Sequence, residues 1–115
     1  MALLLRQARG DRSAMPPDFV DLIWRHWDKG TRRATLVLYR DADPDRLAAA
    51  GENLSKLTCP SLILWGDRDP YLPTKFAHDY AHVLPRSQLE IVWGAGHWPW
   101  IDDLAVIDRV HSFLS

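Results

Sequence analysis

Apolar positions recur at two different periods along this chain, and the change of period divides it. After Pro16 and Pro17, the run "DFVDLIWRHWDKG" places Phe19, Val20, Ile23, Trp24 and Trp27 on one face at helical spacing. Gly30 stands where a helix C-cap would close that run. "TRRATLVLYR" leaves two readings open. Thr31 can cap a helix, "TLVLY" is rich in strand formers, and periodicity does not separate them. "DPDRLAAAG" predicts a short helix, with Asp43 as N-cap, Pro44 at the first helical position and Gly51 past the end.

From Pro60 the pattern shortens. "SLILW" is a continuous apolar run bounded by proline and glycine, as expected of a strand buried on both faces. The turn-rich "GDRDPYLP" follows it. "TKFAHDYAHVL" then brings Phe76, Ala77, Tyr80, Ala81 and Leu84 to one helical face. "LEIVW" predicts a second strand and leads into "GAGHWPW". "DDLAVIDRVHSFL" carries Val106, Ile107, Val110, Phe113 and Leu114 at helical spacing, led by acids that suit a helix N-terminus.

Strand, helix, strand, helix implies a parallel pair joined by a right-handed crossover. The expected fold class is therefore α/β, with a helical segment over 1–53 and the α/β part over 54–115. Ligands of parallel sheets bind beyond the carboxyl ends of the strands. Both "GDRD" and "GAGH" lie there.

Composition changes this picture little. The 115 residues suit one modest core, and 47% hydrophobic with 25% charged residues is ordinary for a globular chain. A net charge of −1 gives no phosphate-tracking surface, so nucleic acid is not expected as a partner. Cys59 has no second cysteine to pair with, which fits a reducing cytoplasmic setting. The opening "MALLLRQARG" is too short an apolar run for a membrane span and lacks a signal-peptide cleavage site. Six tryptophans are many for this length, and they can serve either a core or an apolar pocket.

The strand ends carry the candidate chemistry. A histidine acting as general base needs a buried carboxylate on the ring nitrogen that faces away from the reaction. Parallel strands lie about 4.8 Å apart, so loops leaving adjacent strands can bring an acid and a histidine together. Asp69 and His97 sit on two such loops, and Gly94 and Gly96 allow the second loop to turn sharply. Spacing alone leaves open a plainer possibility, in which "GDRD" is only a turn and His97 a core histidine. In either case Asp67 is expected to bond within its own turn.

"CPSLILWGDRDPYLP" and "LEIVWGAGHWPWIDDLAVIDRVHSFL" resemble the last two strands, acid loop, histidine loop and closing helix of the α/β-hydrolase fold family. The resemblance covers about residues 54–115. It implies Asp69, in "DPYLP", as the acid that orients the base, and His97 as the base. It also implies that 16–50 are part of a helical cap, with Trp24 as a pocket aromatic. Trp98 and Trp100 are expected as pocket wall and loop packing, with Trp98 the better candidate to touch substrate. The implied function is hydrolysis of an ester, epoxide or similar small apolar substrate, without a cofactor. The family's nucleophile elbow, G-x-S-x-G or a close variant, has no match here. The resemblance is thus to the last part of a hydrolase, and the chain alone is expected to be inactive because an acid and a base then have no attacking atom to activate. The alternative is a non-catalytic truncated remnant, or a half-domain that binds another chain, or a second copy of itself, through an open sheet edge.

Other features point to structure. His78 and His82 stand at i and i+4, but no third ligand accompanies them, so no metal site is expected. Cys59 is expected as a small buried hydrophobe, and Arg32, Arg33 and Arg40 as a solvated helix face or cap-to-core ion pairs.

Overall fold

The computed structural model describes residues 6–11 and 15–115. The opening run 1–5 and Ser13 lie outside the described residues. The chain separates into two compact units, one formed by Met15–Leu54 and the other by Met1–Ala14 with Ser55–Ser115. The helical unit ends at Leu54. Residues 6–11, however, belong with the α/β unit and not with the helices, because their backbone bonds to the histidine loop, as described below.

The helical unit consists of α1 (Pro17–His26), α2 (Lys29–Asp41) and α3 (Pro44–Gly51). Gly30 does not cap α1: that helix ends at His26, and Gly30 lies inside α2. The signal that matters is Asp28, the N-cap of α2, whose carboxylate accepts the Thr31 N–H at 2.7 Å. With one orphan donor satisfied there, the ambiguous "TLVLY" continues as helix. Asp43 caps α3 by accepting the Arg46 N–H at 2.9 Å, and Gly51 is the last helical residue, so the helix runs one residue further than expected. No residue of these three helices is buried, and Leu22, Trp24, Leu36, Leu38 and Leu47 are exposed. The short 3₁₀ turn Leu54–Lys56 follows.

The α/β unit contains β1 (Ser61–Gly66), α4 (Lys75–Val83), β2 (Ser87–Val92), the one-turn helix α5 (Pro99–Asp102) and α6 (Ala105–Leu114). The strands pair in parallel, from Ser61 opposite Ser87 to Gly66 opposite Val92. Val92, Ala95 and Val106 form the buried cluster, with Leu64 packed against it, and Ala77 of α4 is fully buried. Arg109 on α6 reaches Glu90 of β2 at 2.9 Å and Asp103 at 2.8 Å, pinning the helix to the strand.

Two expectations need correction. "SLILW" is half-exposed and not enclosed on both faces, because among the described residues the sheet has only two strands and β1 keeps an edge without a strand partner. Cys59 is exposed, since it stands in the loop before β1 and outside its ladder. Among the described residues, no helix is long and apolar enough to cross a membrane.

Candidate active site

Because Gly66 lies opposite Val92, the loops after β1 and β2 leave the sheet side by side. Three hydrogen bonds then join them: Asp67 N–H to the Val92 carbonyl at 3.3 Å, Arg68 N–H to the Ala95 carbonyl at 2.9 Å, and Gly94 N–H to Asp67 Oδ1 at 2.5 Å. Asp67 therefore does not bond within its own turn. The histidine loop passes close enough to offer it an unpaired backbone donor, and a charge-assisted bond wins. Gly94 has φ +82°, a left-handed conformation that glycine adopts without the Cβ penalty.

Asp69 organises the acid loop from inside. Its Oδ1 accepts the N–H groups of Tyr71 at 2.8 Å and Leu72 at 3.0 Å, while Trp65 Nε1 donates to the Leu72 carbonyl at 2.9 Å. Its Oδ2 lies 2.8 Å from His97 Nδ1. The Asp69 side chain is 6% exposed, so the carboxylate is almost fully removed from water and depends on these three donors. An ionised carboxylate only accepts, which assigns the proton of this contact to Nδ1 and leaves Nε2 as the basic nitrogen.

The His97 ring is 33% exposed, and Nε2 has no hydrogen-bond partner among the described residues. The ring stands edge-on to Tyr71, with centroids 5.3 Å apart, and tilted against Trp98 at 5.9 Å. Its backbone N–H donates to the Ala8 carbonyl at 2.7 Å.

Asp69 and His97 border a concavity of about 770 Å³ that runs along β1 and α6. Leu62, Leu64, Trp65, Val106 and Phe113 line it, together with Trp100 and not Trp98. Among the described residues, Asp69 and His97 are its only titratable side chains, and no lysine or arginine faces it. Trp24 lies on α1, half-exposed, in the helical unit.

No serine hydrogen-bonds to His97 among the described residues. Ser61 borders the concavity but lies at the opposite end of β1, about 16 Å along the strand at the usual rise per residue. Its hydroxyl donates to the Cys59 carbonyl. The Ser87 hydroxyl faces the Ala81 and Leu84 carbonyls. No group of three or more metal-ligating side chains occurs among the described residues, His78 and His82 included.

Two functional-site residues were not singled out in the sequence. Asp102 reads there only as a helix-leading acid, yet its carboxylate accepts the N–H groups of Gly96 and Gly10 and pairs with Arg9. Tyr71, in the acid loop, stands against the imidazole. Neither has a local signal, since the partners are far away along the chain.

No family model and no solved structure matches this chain. An uncharacterized protein of Mycobacterium tuberculosis is 46% identical over 56 residues, which are 48% of this chain and 16% of that protein. A 2-hydroxy-6-oxononadienedioate/2-hydroxy-6-oxononatrienedioate hydrolase of Cupriavidus pinatubonensis is 30% identical over 69 residues, 60% of this chain and 24% of that enzyme. An enzyme of the same name from Burkholderia vietnamiensis is 28% identical over 57 residues, 50% of this chain and 20% of that one. The chain thus spans less than a quarter of the length of these curated relatives. The likeness to hydrolases of the α/β-hydrolase type is distant and partial, covering about half of the chain.

Proposed function

We propose that Asp69 and His97 are the orienting acid and the general base of a hydrolytic site of the α/β-hydrolase type, in a chain that carries the last part of that fold. The observation that supports this most is the 2.8 Å contact between the buried Asp69 carboxylate and His97 Nδ1 at the carboxyl ends of two parallel strands. In this arrangement Asp69 holds the imidazole in one tautomer, and Nε2 takes the proton of an attacking hydroxyl or of an attacking water. As the base becomes imidazolium, the Asp69 charge beside it stabilises the new positive charge.

The substrate class is an ester, epoxide or similar small apolar molecule. The concavity beside His97 is lined by aliphatic and aromatic side chains. The hydrolases from Cupriavidus and Burkholderia are named for dioates, whose two carboxylates call for cationic partners, and among the described residues this lining carries no lysine or arginine. Residues 16–50 act as part of a cap in this reading. Trp98 braces the imidazole.

The nucleophile and oxyanion donors belong to the N-terminal part of that fold, which carries the elbow. The test is to co-express this chain with an N-terminal α/β-hydrolase segment that carries one, and to follow activated aryl ester hydrolysis. His97→Ala and Asp69→Asn should each reduce the rate by about 10²–10⁴-fold. A complex that forms and hydrolyses equally well without His97 would refute the reading.

A second reading, a half-domain that binds another chain, is favoured by the open edge of β1 and the apolar concavity beside it. Sedimentation of this chain over a range of concentrations tests it. A monomer at all concentrations, indifferent to added partner segments, would exclude it.

A further inference from the structure

Asp102 is the last residue of α5, and its side chain is 7% exposed. Oδ2 accepts the N–H groups of Gly96 at 2.7 Å and Gly10 at 2.9 Å, and Oδ1 accepts Arg9 Nε at 2.8 Å. One carboxylate therefore ties the residue immediately before His97 to the segment Ala8–Gly10. The same segment also holds the next residue: the His97 N–H donates to the Ala8 carbonyl at 2.7 Å. The two stretches pass at backbone contact: a Cβ on Gly96 would come within 2.0 Å of the Ala8 oxygen. Consecutive N–H groups at 96 and 97 are thus both held from outside the loop.

We infer that Asp102, acting through the Ala8–Gly10 segment, is a positioning residue for His97. The inference rests on the reading of His97 as a base oriented by Asp69. The loop bearing His97 contains two glycines and has little local stiffness of its own, so an unbraced backbone would let the ring wander from Asp69. Proton transfer tolerates little such movement, because a displacement of about 1 Å already costs a large factor in rate. Asp102 removes that freedom where it matters, directly at the Gly96 N–H and, through the Ala8–Gly10 segment, at the His97 N–H.

The carboxylate is suited to this as no neutral isostere is. All three of its partners are donors, and both of its oxygens are used. Asparagine would turn an NH₂ group toward either Arg9 Nε or the two backbone N–H groups, setting donor against donor in a nearly buried site.

The test reads the imidazole directly, with ¹⁵N-labelled full chain and long-range ¹H–¹⁵N spectra of the histidine rings. In the unsubstituted chain, His97 should carry its proton on Nδ1. Asp102→Asn, which touches neither Asp69 nor the ring, should shift the ratio of the two tautomers by about ten-fold, equivalent to about 1.4 kcal/mol of lost bias. Arg9→Gln keeps both backbone bonds of Asp102 and should move the ratio in the same direction by less. It carries the test if Asp102→Asn does not fold. An unchanged tautomer ratio in a folded variant overturns this inference alone, since a brace that served only stability would lower the melting temperature and leave the ring signals in place. A spectrum of the unsubstituted chain without the Nδ1 proton overturns the Asp69–His97 reading, and the inference with it.

Discussion

Asp67 Oδ1 accepts the backbone N–H of Gly94 at 2.5 Å, and this bond joins the acid loop to the histidine loop across 27 positions of sequence. Asp67 and Asp69 stand two residues apart, with one fixing the neighbouring loop and the other fixing the imidazole. The carboxylates of "GDRD" thus have separate tasks, and substitutions should separate them.

Asp67→Ala leaves the half-buried Gly94 N–H without its acceptor. It should lower the stability of the α/β unit by about 1–3 kcal/mol, the usual cost of losing one partner of a buried or charge-assisted bond. Chemical denaturation followed by tryptophan fluorescence measures this. A loss below about 0.5 kcal/mol would mean that the loops are held by their backbone bonds alone.

Gly94 and Gly96 should respond differently to alanine. At Gly94 nothing lies within 4 Å of an added Cβ, so only the positive φ opposes it, at about 1–2 kcal/mol. At Gly96 the added atom meets the Ala8 carbonyl, and residues 8–10 must move. Gly96→Ala should therefore destabilise more, and it alone should speed exchange of the His97 amide, as read by hydrogen–deuterium exchange.

The chain by itself should not hydrolyse activated aryl esters faster than its His97→Ala variant. No described serine stands within reach of Nε2, and a base without a nucleophile contributes little. Turnover that disappears in His97→Ala would reveal an attacking group not identified above.

Self-association is expected through β1, whose edge has no strand partner among the described residues. Leu62→Lys places a charge in the concavity beside that edge, and it should weaken association measurably in sedimentation velocity runs. An unchanged sedimentation profile would exclude β1 as the contact.

Acid should loosen α2 at its start. The Thr31 backbone N–H, bonded to Asp28, holds that carboxyl below its ordinary value of 3.8. A depressed folded value means that the cap is fully stabilising above the ordinary value and is lost as pH falls through the lower, folded one. Helicity by circular dichroism should decline over that acidic window in the parent chain, and Asp28→Ala should remove this part of the pH dependence.

Much of the local structure was legible in the chain. Asp43 and Pro44 marked the start of α3, and the apolar runs "SLILW" and "LEIVW" marked the two strands. Asp69 and His97 were named from their loops, and the structure brings them to 2.8 Å. Where reading failed, two local signals competed. Gly30 offered a C-cap to α1, but Asp28 offered an N-cap to α2 two residues earlier, and the side-chain bond to Thr31 prevailed.

By itself, then, the sequence determined what depends on neighbours within about four residues: helix caps, strand runs, and the turn that Asp69 makes with Tyr71 and Leu72. Tertiary structure decided the rest. Whether Asp67 bonds its own turn or Gly94, whether Trp98 or Trp100 faces the concavity, and whether Asp102 merely leads a helix or brackets the His97 loop all depend on segments 27 to 93 positions apart. Such pairings leave no periodic mark, because a buried carboxylate takes whichever unpaired donor the packed backbone brings to it.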